Sequence, residues 1–351
     1  MTTWLVIVSA CLLVMALGAL AQPLARRRED RRHPPPGQMV EIAAGMKLHA
    51  ITNGEPSREA GATVVLDAAL GASSLSWARV QPALAKFARV ISYDRAGFGY
   101  SSAARTPRTV AALAAELAAL LEVVAAPPYI LVGHSFGGLV VRQFARQHPE
   151  RVAGLVWVDA AAPEQWAAPS PLDRRRLRLG ARLARRGAWA ARLGLARAVA
   201  WLLHHGAQPL ARASAGAVSG GSLSQRPTPR HSHADLLLAP ALRLPAELRP
   251  YLRRNWLRPA YYSALASMMQ NLPVSAAAML EDGGYGDRPL ALLTAANADP
   301  VRAAEQQACM RLSSRCRHWT ARASGHWIPI DEPELVIEAV RWVFEQIQAA
   351  R

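Results

Sequence analysis

Unbroken apolar runs of four or five residues recur along the chain, at 63–66, 90–93, 129–132, 154–158 and 290–294, with a more mixed run at 318–321. Runs this short, with no alternating polar face, are what a strand covered on both sides requires. Between them the apolar positions recur every three or four residues. That spacing predicts helices at 77–87, at 110–123 behind Thr109 as N-cap, directly after Ser135, and at 332–349. Ahead of the first run, 40–42 and 47–51 predict a hairpin around Gly45. Strand and helix alternating in this way imply a mostly parallel sheet with helices on both faces.

The alternation stops between about residues 162 and 288, where the spacing is helical. This insertion carries 18 Arg against 7 Asp and Glu, and reads as a helical lid on a core built from 38–161 and 289–351. Residues 172–203 mix Arg with Leu, Ala and Trp, a pattern that suits either an anionic membrane surface or an ordinary solvated helix face. Residues 214–230, rich in Ser, Gly and Pro, read as loop.

Residues 4–21 carry no charge. As a helix at about 1.5 Å per residue they reach roughly 27 Å, close to the ~30 Å of a bilayer's hydrocarbon core. One reading is a cleaved signal, since Ala19-Leu20-Ala21 resembles a cleavage site. The other is an uncleaved transmembrane anchor over 1–25 followed by a basic, Pro-rich linker over 26–37. No Lys or Arg precedes the run, while Arg26, Arg27, Arg28, Arg31 and Arg32 follow it, which favours the anchor. Those arginines would stay on the cytoplasmic side and hold the catalytic domain there, with membrane lipid as the anchor's partner.

The hydrophobic content of 51% is ample for a core of this size. The net charge of +16 is almost wholly Arg, because Lys47 and Lys86 are the only lysines. A basic balance is one mark of nucleic-acid binding, but no zinc-finger spacing, RNA-binding aromatic motif or basic zipper accompanies it, so a nucleic-acid partner is not expected. Three cysteines, one of them Cys11 inside the apolar run, are too few for a disulfide scaffold. No Cys-x-x-Cys or His-Glu-x-x-His spacing calls for a metal, and no cofactor is implied.

The strongest chemical signal is the run ILVGHSFGG at 130–138, an apolar strand passing through Gly-x-Ser-x-Gly into a helix. A turn this sharp strains the serine backbone and lifts its hydroxyl clear of the sheet, at a helix N-terminus that favours developing negative charge. Ser135 is therefore the candidate nucleophile. A serine hydroxyl needs a base, and His326, in Ser324-Gly325-His326-Trp327 after the last strand, supplies one. For the acid, Asp299 follows the strand before the one leading to His326, and Asp159, at the end of the strand after the nucleophile helix, is its rival. The order Ser, acid, His favours Asp299. Asp94, in the segment 93–101, reads as a turn former. Oxyanion donors are expected from the backbone amides of Phe136, directly after the nucleophile, and Leu70, in the loop after the first buried strand.

With these residues in place the chain resembles the α/β-hydrolase superfamily, in particular its lid-bearing branch of serine esterases, proline iminopeptidase-like enzymes and carbon–carbon bond hydrolases. The resemblance covers residues 40–161 and 290–348 and rests on 66–77, 93–101, 133–138 and Gly325-His326. It implies an α/β-hydrolase fold with a mostly parallel sheet, an inserted helical lid, and a triad of Ser135, Asp299 and His326 with oxyanion donors at Leu70 and Phe136. One departure is Ala68-Ala69, where family members often have His-Gly. A serine, not an aspartate, at the nucleophile position disfavours epoxide hydrolase and haloalkane dehalogenase chemistry. The expected activity is hydrolysis of an ester or similar acyl bond of an apolar small molecule, for which the insertion's Trp166, Trp189, Trp201, Trp256, Met268 and Met269 suggest an apolar pocket. Carbon–carbon bond hydrolysis with the same triad, and a catalytically silent membrane-bound interaction protein on this scaffold, are the alternatives.

Overall fold

The computed structural model describes residues 2–55, 61–198, 243–280, 283–296 and 309–350. Among the described residues eight strands form one sheet: β1 (Gln38–Ala43), β2 (Met46–Asn53), β3 (Thr63–Asp67), β4 (Val90–Tyr93), β5 (Tyr129–His134), β6 (Val152–Val158), β7 (Leu290–Ala295) and β8 (Cys316–Ala321). Their order across the sheet is β1-β2-β4-β3-β5-β6-β7-β8. β1 and β2 form the expected hairpin, with Gly45 at φ +65° in its turn. β2 pairs antiparallel with β4, and from β4 to β8 every pairing is parallel.

The unbroken apolar runs are explained by cover on both faces. Val65, Leu131, Leu155 and Leu292 join a core with α3 (Val110–Val124) and α4 (Phe136–Gln147). Their sequence neighbours Val64, Leu66, Val132, Val156 and Leu293 pack on the other side, against Trp77, Leu84 and the helix Pro333–Gln348. The Thr109 hydroxyl caps α3 by accepting from the Ala112 amide at 3.2 Å. The single helix predicted over 77–87 is instead two separate turns, Ser74–Trp77 and α2 (Gln81–Leu84). Pro82 has no amide hydrogen to give the Ala78 carbonyl, so the helix cannot run through.

Within the insertion, the described residues include the helices α5 (Pro163–Ala167), α6 (Pro171–Arg192), α7 (Arg249–Trp256) and α8 (Pro259–Ala277). α8 packs along α6 and against α5 and α3. The loop expected at 214–230 lies outside the described residues. After β8 come a one-turn helix, α9 (Ile328–Asp331), and a helix of 16 residues, α10 (Pro333–Gln348).

The N-terminal segment is one helix, α1 (Thr2–Arg32). Among the described residues no helix is long and apolar enough to cross a membrane, so a transmembrane helix is not part of the observed fold. The last third of α1 carries the arginines expected in a linker, and it is docked on the rest of the molecule. The Gln22 amide donates to the Ala191 carbonyl at 2.5 Å, Glu29 pairs with Arg197 at 2.9 Å and Asp30 with Arg254 at 2.6 Å.

Candidate active site

Ser135 stands between β5 and α4 with φ 53° and ψ −118°, a conformation that costs a non-glycine residue on the order of 1–3 kcal/mol. Its surroundings hold it there. The Ser135 amide donates to the Val158 carbonyl at 3.0 Å, and its own carbonyl accepts from Gly138 and Ala161 at 3.0 and 2.9 Å. A Cβ at Gly133 would lie 2.7 Å from the backbone of Gly137 and Gly138, so only glycine lets the strand and helix meet this closely. The Ser135 side chain is left half-buried at the edge of the sheet.

His326 lies in the loop between β8 and α9, and its Nδ1 is 2.6 Å from Oδ2 of Asp159, whose carboxylate is buried. Asp159 is the residue directly after β6 and takes φ 42°. Its amide donates to the Leu293 carbonyl at 2.7 Å, and its Oδ1 accepts a long bond of 3.4 Å from the Ala295 amide. The acid favoured by chain order, Asp299, lies outside the described residues, and the carboxylate placed against the imidazole is that of its rival. The reason is lateral: β6 and β7 are neighbours, so the C-terminal end of either strand opens toward the loop that carries His326.

His134, one residue before Ser135, was not anticipated. Its Nε2 donates to the His326 carbonyl at 2.7 Å and its ring lies 4.9 Å, centroid to centroid, from that of His326. The elbow and the histidine loop are thus tied directly to one another.

The loop after β3 holds Leu70, half-buried, followed by Gly71 at φ +74°. A Cβ on Gly137 would lie 2.4 Å from the Asp67 carbonyl, so this loop and the first turn of α4 pack backbone against backbone. That contact brings the Leu70 segment beside Phe136, the first residue of α4. Arg95 fixes the loop: its guanidinium donates to the Asp67 carboxylate and to the carbonyls of Ala68 and Ala69, and lies 5.3 Å over the Phe136 ring. Burial pushes the Asp67 carboxyl up, and Arg95 and the Tyr93 hydroxyl, 2.7 Å away, pull against that shift. Nothing in the sequence pattern singled Arg95 out beyond its being a charge directly after a fully buried strand.

Asp94 is a turn former, as expected. It accepts from the amides of Ser74 and Tyr100 at 2.8 and 3.1 Å and pairs with His49 Nδ1 at 2.8 Å. Burial alone would push its carboxyl up, but these partners, His49 foremost, outweigh burial and hold it below its ordinary value near 3.8. Of the lid aromatics expected around a substrate, Trp256 lines a small hollow with Gly71, Ala72 and Ser73 of the loop after β3. Trp189 is turned to the outside, and Trp201 lies outside the described residues.

A family model for the alpha/beta hydrolase fold matches residues 62–333. A putative carbamate hydrolase, RutD, of Variovorax paradoxus is 39% identical over 127 residues, which is 36% of this chain and 45% of that protein. The protein YqjL of Bacillus subtilis is 33% identical over 102 residues, 29% of this chain and 40% of that protein. The chain therefore spans less than half the length of these relatives. Among solved structures, a putative epoxide hydrolase from Pseudomonas aeruginosa is similar with a TM-score of 0.63 and 18% identity, covering 90% of this chain and 98% of that one. A thermophilic esterase from Thermogutta terrifontis gives 0.59 and 22%, covering 89% and 100%. At such identities the structural likeness bears on the fold alone.

Proposed function

Because this chain belongs to the alpha/beta hydrolase fold family, we propose that it is a serine hydrolase cleaving an ester or similar acyl bond of an apolar small molecule, with Ser135 as nucleophile, His326 as base and Asp159 as acid. The observation that carries the reading is the 2.6 Å contact of Asp159 with His326 Nδ1, in a loop bound to the strained elbow of Ser135. With Nδ1–H given to Asp159, the imidazole keeps Nε2 unprotonated and free to take the Ser135 hydroxyl proton. The serine oxygen then adds to the acyl carbon, and the amides of Phe136 and Leu70 receive the oxyanion. Each such donor is worth about a hundredfold to a thousandfold in rate. Collapse expels the leaving group, which takes the proton back from His326, and water repeats the sequence to release the acid.

The naming of one relative as a putative carbamate hydrolase supports extending the substrate class to carbamates, acyl compounds open to the same serine attack. Fluorophosphonate labelling of the purified protein tests the proposal. Labelling that is lost in Ser135→Ala and His326→Ala is expected. No labelling of folded wild type, or labelling that survives Ser135→Ala, overturns it.

The protein is also proposed to sit at a membrane through the first half of α1. The support is the exposure of Trp4, Leu5, Val6, Leu13, Leu17 and Leu20 on that helix. Co-flotation of the full chain with phosphatidylcholine vesicles is the expected result, and recovery in the unbound fraction overturns it.

A further inference from the structure

Away from the Ser135 elbow, a cleft of about 1180 Å³ separates the second half of α1 from the lid and from the loop leading into α3. Among the described residues, seven arginines line it against one carboxylate, that of Asp30. Two of the seven are neutralised: Arg108 by Glu116 and Arg197 by Glu29. Asp30 itself is held at 2.6 Å by Arg254, which leaves Arg26 only a 3.8 Å approach to it. Arg105 gives its guanidinium to the carbonyls of Ala44 and Gly45 at 2.7 and 2.9 Å, and Arg192 lies 5.2 Å over the Trp189 ring. Arg258 is buried, and among the described residues its guanidinium donates to the carbonyls of Gly99 and Ser101 while its Nε meets no partner. Burial, reinforced by the charges of Arg254 and Arg26, pushes its guanidinium down to about 10.

Unmatched like charge around one cavity is unfavourable, and an entering anion relieves it. Guanidinium groups are planar forks that match phosphate oxygens in pairs. The cavity is much larger than one phosphate ion needs and lies within reach of a headgroup with its glycerol. Its wall includes Ala19, from the charge-free part of α1, together with Arg26 and Arg27 from its basic third, so a headgroup held there would lie beside the part of α1 that exposes Trp4, Leu13 and Leu17.

We infer that this cleft is a binding site for a phosphate-bearing anion, and that its occupant is the headgroup of an anionic phospholipid. The site itself stands on the cleft's own arginines; only the choice of a lipid as the source rests on the membrane reading above. The ligand is gripped jointly by α1 and the lid, so binding ties the two together.

The test is thermal unfolding of the full chain in dodecyl maltoside micelles, with added phosphatidylglycerol, phosphatidylcholine or inorganic phosphate. Phosphatidylglycerol is expected to raise the midpoint and phosphatidylcholine to leave it unchanged. In the variant Arg26→Gln/Arg105→Gln/Arg192→Gln, all three of whose side chains are exposed, apparent affinity should fall by about a hundredfold, as the loss of several charge-assisted contacts implies. A second variant, Arg175→Gln/Arg182→Gln/Arg186→Gln, changes the same number of charges on α6 outside the cleft and should keep the shift, and its behaviour guards against misreading a folding defect. A shift that survives the cleft variant, or equal shifts with both lipids, overturns the site. An equal shift with inorganic phosphate upholds the anion site and overturns the lipid as its occupant. Flotation on phosphatidylcholine reports on membrane attachment separately, so failure there leaves these outcomes readable.

Discussion

The imidazole of His134 donates to the backbone carbonyl of His326 at 2.7 Å, so the residue before Ser135 holds the loop that carries His326. A single hydrogen bond of this kind is worth about 1 kcal/mol. His134→Ala should therefore lower kcat by roughly fivefold to tenfold with KM unchanged, measured on any ester the wild type turns over. An unaltered kcat would remove His134 from the positioning of the base.

Two aspartates compete for the acid's role, and steady-state kinetics separates them. Asp159→Asn is expected to lower kcat by about 10⁴, the order seen when a triad histidine loses the carboxylate that sets its tautomer. Asp299→Asn should leave kcat near that of the wild type. The reverse ranking would return the role to Asp299.

Arg95 holds the carbonyl side of the loop after β3 and neutralises Asp67 with both side chains buried. Arg95→Met leaves a buried carboxyl without its counter-charge and should cost about 3–5 kcal/mol in urea unfolding. Arg95→Lys keeps the charge but loses the fork that grips three residues at once. It should recover part of the stability while fluorophosphonate labelling stays slow. Full recovery of labelling in Arg95→Lys would reduce the residue to charge balance.

Acid stability should report on Asp94. Its folded pKa lies below the unfolded value near 3.8, so its contribution is complete above that value and is lost as pH falls through the folded one. The urea midpoint of the wild type should drop steeply below about pH 4, and that of Asp94→Asn, lower at neutral pH, should drop less over the same interval. Parallel curves would show that other carboxyls govern acid unfolding.

Most of the sheet was legible because a strand covered on both faces leaves an apolar run that periodicity detects, as at 63–66 and 129–132. Ser135 and its glycines were legible because a steric requirement recurs as a spacing. What a one-dimensional pattern hides is lateral neighbourhood. Chain order ranked Asp299 above Asp159, yet the ends of two adjacent parallel strands lie side by side, and only the fold shows which carboxylate meets the ring. Arg95 escaped notice for the same reason, since its partners lie 26 to 28 residues earlier in the chain. The helix expected over 77–87 failed on one residue, Pro82, whose missing amide outweighs the apolar spacing around it.

The lid leaves the sheet after Val158 and returns at Leu290, on strands that are immediate neighbours with Val158 paired to Leu293. Because the two strands are parallel, the exit lies at the C-terminal end of β6 and the return at the N-terminal end of β7, three residues or roughly 10 Å apart along the strands. Lengthening a connection of this kind costs only about 0.6 kcal/mol for each doubling. The lid's grip on the Gly99 segment, through Arg254, Asn255 and Arg258, is the joint a replacement would have to reproduce. Variation in the insertion can then reshape what lies over the sheet while the strand ends that carry Ser135 and Asp159 keep their places.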